Sequence, residues 1–168
     1  MPKRSYSVNL KTKIKSFNKS INVDSDKSLS IRSFLIGSIS QKISYTKNVL
    51  ESDDVISTIN TCRKLGVKII KTRPREYKIY GKGLGSFTAK KNTLLDFGNS
   101  GTGIRLLSGL ISSNNIKAYL VGDKSLTKRP MRRVTMHLTR LGANFKLRNN
   151  LYPPIKINGT GSAVPLTF

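Results

Sequence analysis

Gly98-Asn99-Ser100-Gly101-Thr102-Gly103-Ile104-Arg105-Leu106-Leu107-Ser108-Gly109 is the stretch on which the fold of this chain turns. Its first half is rich in glycine. Its second half begins an apolar series, Ile104, Leu107, Leu110 and Ile111, at helical spacing. The spacing predicts a short strand over Leu94–Phe97, a glycine-rich turn, and a helix over Gly101–Ser112. Without a Cβ in the way, glycine amides in such a turn can approach a phosphate or a carboxylate. The same residues also suit a plain tight strand-to-helix turn. They form neither a Walker A loop, for want of Gly-Lys-Ser/Thr, nor a full dinucleotide fingerprint.

Outward from this stretch the pattern occurs twice. On the N-terminal side a helix is predicted over Lys27–Ser40, with Ser25 or Asp26 as N-cap and Ile31, Phe34, Leu35 and Ile39 near one face. A strand over Lys42–Leu50 follows. Ser52-Asp53-Asp54 opens a second helix, its acids placed where the helix dipole favours them. Val55, Ile56, Ile59, Cys62 and Leu65 line it, and Gly66 is its stop. Val67–Lys71 and Glu76–Tyr80 complete the first half as strands.

The second half adds a strand over Ile116–Val121, then a helix with Pro130 at its first position. Val134, His137, Leu138 and Leu141 line that helix and Gly142 stops it. Strands over Asn144–Leu147 and Ile155–Ile157 close the half. Leu65-Gly66-Val67 aligns with Leu141-Gly142-Ala143, 76 residues on, and Gly81 with Gly159, 78 residues on. The chain is therefore expected to be α/β, an internal duplication of a βαβαββ-like unit.

Composition bounds the function. The 168 residues hold 31 Lys+Arg against 8 Asp+Glu, a formal net charge of +23. No stretch approaches the roughly 20 apolar residues of a membrane-spanning helix. A single cysteine, Cys62, excludes a disulfide framework or a Cys-rich zinc site, and a single histidine, His137, argues against a His-based metal site or a Ser/His triad. The expected protein is soluble and suited to the cytoplasm, with a field that attracts nucleic acid, phosphorylated metabolites or acidic lipid. Met1–Ser20 carries six basic residues and no acid, and lacks the apolar core of a secretory signal. Its Ser5–Leu10 run alternates like a strand. Abundant Lys, Asn, Ile and Ser throughout also fit a compositional bias, in which most lysines are solvated background.

Three segments carry chemistry, each at a predicted helix start. Ser25-Asp26-Lys27-Ser28-Leu29-Ser30-Ile31-Arg32 offers a cation and free amides to an anion, although Ser and Asp are also ordinary caps. The glycine-rich turn is the second. Lys128-Arg129-Pro130-Met131-Arg132-Arg133 is the third, where Arg129 suits bidentate recognition of phosphate or carboxylate. Converging on one cleft, the three would hold multiply charged anions.

These segments, together with Leu50-Glu51-Ser52-Asp53-Asp54, Gly122-Asp123-Lys124-Ser125-Leu126 and Tyr152-Pro153-Pro154-Ile155, resemble the N-terminal portion of the 3-phosphoshikimate 1-carboxyvinyltransferases, the EPSP synthase family. The resemblance runs from about Lys15 to Phe168. It implies an inside-out α/β prism (enolpyruvyltransferase-like) built from βαβαββ repeats, of which this chain is a partial domain with two of three repeats. Residues 1–22 would be a basic segment packing with a second domain. Residues 23–168 would be a partial N-terminal domain, with repeats at about 23–81 and 94–159. The implied reaction transfers the enolpyruvyl group of phosphoenolpyruvate to the 5-hydroxyl of shikimate 3-phosphate, in aromatic amino acid biosynthesis. It needs no metal or organic cofactor.

Carried over by position, Lys27, Ser28 and Arg32 would bind shikimate 3-phosphate, and Lys27, Gly101 and Arg129 would bind phosphoenolpyruvate. Asn99, Thr102, Arg105 and Asp53 would support the site. The catalytic acid/base groups would lie in the second domain, so none is expected within this chain, and the chain alone is expected to be inactive. The full-length protein is expected to be a cytoplasmic monomer that binds small molecules and neither membrane nor nucleic acid. Two departures stand out: Asp24-Ser25 occupies the place of the family's Pro-Gly, and the family's Ser-Ala-Gln motif, expected soon after Phe168, is absent. The alternatives are a small basic nucleic-acid-binding module and a UDP-N-acetylglucosamine enolpyruvyltransferase-like chain.

Overall fold

The computed structural model describes residues 23–165, together with residues 7–9, 11, 18 and 20. The basic segment 1–22, with the strand expected at Ser5–Leu10, lies largely outside the described residues.

The first half runs α1 (Lys27–Ile39), β1 (Ile43–Thr46), α2 (Asp53–Lys64), β2 (Lys68–Arg73) and β3 (Glu76–Tyr80). The second runs β4 (Thr93–Asp96), α3 (Gly101–Ser112), β5 (Lys117–Val121), a 3-10 turn at Leu126–Lys128, α4 (Arg132–Arg140), β6 (Asn144–Arg148) and β7 (Tyr152–Asn158). Strand order is β1-β3-β2 in one sheet and β4-β5-β7-β6 in the other. Apart from β4, which lies parallel to β5, the two sheets have the same order and the same antiparallel pairing.

The duplication reaches individual atoms. Asp26 and Ser100 cap α1 and α3, accepting from the amides of Leu29 and Gly103 respectively. At the other ends, the Lys82 amide donates to the Ser38 carbonyl and the Thr160 amide to that of Ser112, both at 2.9 Å. Gly66 and Gly142 leave α2 and α4 at φ +84° and +104°, a conformation glycine adopts without steric cost. Gly81 and Gly159 have a different reason to be glycine. A Cβ on Gly81 would run into the Gly37 and Ser40 carbonyl oxygens, and one on Gly159 into those of Ile111 and Asn114. On the outer faces, Lys78 sits over the Tyr45 ring at 5.6 Å and Lys156 over Tyr119 at 5.4 Å, each pair directly opposite across two strands.

The helices lie inside and the sheets outside. α1 packs on α2, α3, β1 and β3, while α3 packs on α2, α4 and β7. One apolar cluster runs from Ile31 and Phe34 through Ile59 and Cys62 to Ile104, Leu107, Leu120 and Ile157, all buried. Several buried hydroxyls beside it return to the preceding helical turn, as Ser38 does to the Phe34 carbonyl, Ser108 to Ile104 and Ser112 to Ser108. Helices inside and sheets outside is the arrangement of a partial inside-out prism.

Three sequence expectations differ from the fold. The strand expected over Lys42–Leu50 ends at Thr46, because Asn48 takes φ +55° and the Val49 amide leaves the sheet to donate to the Arg75 carbonyl. Pro130 is not the first residue of α4. The helix starts at Arg132 after Met131, whose amide is held by the Leu151 carbonyl. Along α4, Val134 and Leu138 are half-buried and His137 is exposed, while Thr135 is the residue buried. This helix packs mainly on α3 and β6 among the described residues, and its apolar stripe is partly covered. Among the described residues, no helix is long and apolar enough to cross a membrane.

Burial pushes the Cys62 thiol up to about 11, so almost no thiolate exists at neutral pH. The folded chain should therefore leave a thiol-reactive dye unreacted until denaturant is added. Full labelling of native protein within minutes would contradict this placement.

Candidate functional site

The α3 start shows why the glycine-rich turn is built as it is. Asp96 at the end of β4 accepts the Gly98 amide at 2.9 Å, which curls the chain. Ser100 is fully buried and caps the helix through its Oγ. Gly103 must lack a Cβ because the Ser100 and Thr58 hydroxyls occupy that space, 2.6 and 2.7 Å from where the atom would stand. Gly101 faces two guanidinium groups. A Cβ there would lie 2.8 Å from Arg129 Nη1 and 3.0 Å from Arg105 Nη1.

Arg129 reaches this position from the turn before α4. Its Nη2 donates to Asn99 Oδ1, and more weakly to Ser125 Oγ at 3.4 Å. Asn99 in turn donates to Asp123 Oδ2 at 2.9 Å, while Asp123 Oδ1 accepts the Leu126 amide at 2.7 Å. The Leu126 amide first, and then Asn99 and Arg129, hold the Asp123 carboxyl below the usual carboxylate range. Arg105 donates to the Gly101 carbonyl at 3.2 Å and to that of Pro130 at 3.4 Å, tying α3 to the approach to α4. The Thr102 amide has no partner among the described residues. An arginine fork beside a free helix-start amide is a seat for a phosphate or carboxylate.

The α1 start is the counterpart. Asp26 takes the Leu29 amide, and the amides of Lys27 and Ser28 have no partner among the described residues. Lys27 Nζ lies 2.7 Å from Asp54 Oδ2, with the lysine side chain 47% exposed and the aspartate 17%. Asp53 is exposed and makes no ion pair among the described residues; its neighbour Asp54 holds Lys27. Arg32 lies one turn further along α1, exposed, at the rim of an apolar groove of about 200 Å³ formed with Leu35, Ile36, Ile39, Leu106 and Leu110.

α2 connects the two starts. Asp54 meets Lys27, and one turn on, Thr58 donates to the Asp54 carbonyl while standing against Gly103. Arg129, Asn99, Gly101 and Arg105 thus form one cluster and Lys27 with Asp54 a second, with the first turns of α2 between them. Sequence reasoning missed Asp54, Thr58 and Asp123. The first two were legible in the helical phase: Asp54, Thr58 and Thr61 lie in register with buried Val55, Ile59 and Cys62, whereas Asp53 is in register with exposed Asn60. Asp123 stood in a recognised motif, but no spacing rule links it to Asn99.

A duplicated α/β unit that sets cations and free amides at two equivalent helix starts belongs to a class of architecture suited to holding small anions. Comparison with known proteins narrows that class. Residues 11–167 match the family model for EPSP synthase (3-phosphoshikimate 1-carboxyvinyltransferase), and the chain belongs to that family of carboxyvinyl transferases. It is 39% identical over 148 residues to the 3-phosphoshikimate 1-carboxyvinyltransferase of Granulibacter bethesdensis, covering 88% of this chain and 32% of that relative. It is 45% identical over 152 residues to the enzyme of that name from Oenococcus oeni, covering 90% and 34%. Among solved structures, an EPSP synthase from Acinetobacter baumannii superposes with a TM-score of 0.77 at 36% identity, over 83% of this chain and 31% of that one. The chain spans about a third of the length of the curated relatives it matches.

Proposed function

We propose that this chain contributes one wall of the active site of an enolpyruvyl transferase. In this reading the enzyme moves the enolpyruvyl group of phosphoenolpyruvate onto the 5-hydroxyl of shikimate 3-phosphate and releases phosphate. The observation that carries the reading is the pair of equivalent helix starts, α1 and α3, each with its cap occupied and a cation alongside. Membership of the family supports the choice of substrates.

The roles divide between the two starts. Ser28 and Arg32 hold shikimate 3-phosphate, and Lys27, kept in place by Asp54, reaches both substrates. Gly101 leaves room for phosphoenolpyruvate beside the Thr102 amide, and Arg129 clamps its phosphate or carboxylate. Asn99 aims Arg129, Asp123 aims Asn99, and Arg105 braces α3 against the Pro130 turn. These groups bind and orient. Proton transfer belongs to acid/base side chains of a second domain, and such groups contribute about 10²–10⁴-fold to rate. Residues 23–168 then form part of an N-terminal domain with repeats at about 23–81 and 94–159. The whole enzyme is a cytoplasmic monomer that takes small molecules rather than nucleic acid.

Calorimetric titration of the chain tests this reading. Shikimate 3-phosphate should bind saturably and at least about tenfold more tightly than shikimate, since a phosphate gains charge-assisted bonds that a hydroxyl does not. Phosphate release from the two substrates should stay at background with the chain alone. Equal affinity for shikimate and its phosphate would sink the proposal.

A further inference from the structure

The residue before each cap is held in the same way in both units. Ser25 precedes the Asp26 cap, Asn99 precedes the Ser100 cap, and the two positions are 74 residues apart, like the caps themselves. Each accepts a hydrogen bond from an arginine guanidinium. Asn99 accepts from Arg129, and Ser25 Oγ accepts from Arg75 Nη2 at 2.5 Å. The two arginines come from different places, Arg129 from the approach to α4 and Arg75 from the β2–β3 turn.

Arg75 makes more contacts than this one. The same Nη2 lies 3.4 Å from Asp24 Oδ1, and Nε donates to the Val49 carbonyl at 3.2 Å. Its own amide donates to Glu51 Oε1 at 3.3 Å, and its carbonyl accepts the Val49 amide at 3.0 Å. Glu51 is anchored by Lys71 at 2.8 Å and by the Tyr77 hydroxyl at 2.6 Å. Next to these, the Leu50 amide donates to Ser30 Oγ, which donates to the Asp26 carbonyl. Arg75 therefore joins the chain entering α1 to the chain entering α2. Those two segments carry Lys27 and Asp54. Arg75 adopts φ +59°, a left-handed conformation that an arginine takes up at a cost, which the contacts at both ends of its side chain and backbone offset.

We propose that Arg75 is a positioning residue for the α1 anion seat, fixing the Asp24-Ser25 approach so that Lys27 and the Lys27 and Ser28 amides face one ligand. The proposal rests on the reading that this seat binds shikimate 3-phosphate. A guanidinium from across the fold thus holds the Asp24 and Ser25 side chains on the approach to the Asp26 cap. The Asp24 pair is exposed and contributes little; the Ser25 and Val49 bonds carry the effect.

The test follows amide signals of the labelled chain as shikimate 3-phosphate is added to the parent, Arg75→Ala, Ser25→Ala and the double variant. Arg75→Ala should weaken binding about fivefold at Lys27 and Ser28. Arg75→Lys, which keeps the charge without the fork, should restore only part of that loss. Phosphoenolpyruvate binding read at Gly101 and Thr102 should weaken far less, because it keeps Arg129 and the Thr102 amide and loses only its share of Lys27, a difference that a general loosening of the fold would not allow. Ser25→Ala should weaken binding in the same direction, and Arg75→Ala should add little on top of it, because both remove one contact. If Arg75→Ala does not fold, the Ser25→Ala result decides alone. A parent that binds while Arg75→Ala, or Ser25→Ala in that case, binds as tightly overturns the positioning role only. A parent that binds no shikimate 3-phosphate overturns both this role and the transferase reading.

Discussion

Gly159→Ala should lower the melting temperature by about 4–8 °C. The added methyl would meet the Ile111 and Asn114 carbonyl oxygens at the end of α3, and both are backbone atoms with no rotamer to yield. Overpacking a well-filled position costs about 1–3 kcal/mol. At about 2 kcal/mol, a chain of this size loses about 2–4 °C per kcal/mol. The Gly159 amide also donates to the Ile116 carbonyl, so the shift needed to relieve the clash would strain the first residues of β5. Gly109→Ala is the control. It lies on the same helix with open space where its Cβ would stand, and should be neutral or stabilising. Gly81→Ala should behave like Gly159→Ala, since it meets the equivalent α1 carbonyls. Thermal unfolding followed by circular dichroism compares the three. A Gly159→Ala melt indistinguishable from the parent would show that the close approach of the β7 end to α3 is not part of the native packing.

Arg129→Ala should reduce phosphoenolpyruvate affinity by about ten- to a hundredfold. Charge-assisted recognition of an anion contributes about 1.5–3 kcal/mol net, which converts to about that range in affinity. The guanidinium lies over Gly101 and is aimed by Asn99 Oδ1, so the loss should fall on the α3 seat and leave shikimate 3-phosphate binding at α1 largely intact. The side chain takes no part in the apolar core, so the melting temperature should move by less than about 2 °C, as for most surface changes. Arg129→Lys should recover a minority of the affinity, because a lysine supplies the charge without the planar fork. Fluorescence or calorimetric titration with phosphoenolpyruvate measures both variants. Parent-like affinity in Arg129→Ala would remove this arginine from the anion site.

Much of this arrangement was legible before the fold was known. α3 and β3 fall where periodicity puts them, because Ile104, Leu107 and Ile111 face a core and Tyr77 and Ile79 alternate into it. The Gly66–Gly142 and Gly81–Gly159 correspondences gave the duplication, since each glycine answers a backbone requirement that recurs with the unit. Local sequence does not specify contacts made across the fold. Nothing near residue 75 announces that its guanidinium crosses to Ser25, 50 residues away. The overlong strand after Lys42 has the same origin: Val49 turns out of the sheet to meet Arg75, a partner from another hairpin. The start of α4 is displaced past Pro130 for a similar reason, the Met131 amide being held by Leu151. Asp54, not the Asp53 named from sequence, pairs with Lys27, and the phase of α2, with Val55 and Ile59 buried beside it, makes that legible.

The net charge of +23 also gains a structural meaning. Part of it lies on the outer sheet faces, where Lys68, Lys78 and Lys156 stand over tyrosine rings in cation–π contact. Lys27, Arg32, Arg105 and Arg129 stand at or near the starts of the inner helices and are the cations the proposed chemistry uses.

The most direct test of that division is an amide chemical-shift map of the labelled chain with each substrate in turn. Shikimate 3-phosphate should give saturable shifts at Lys27 and Ser28, phosphoenolpyruvate at Gly101 and Thr102, and the outer-face lysines should stay still. Shifts spread over the sheet lysines, or matched by inorganic phosphate at the same concentration, would contradict the assignment of the two helix starts as the substrate-binding wall.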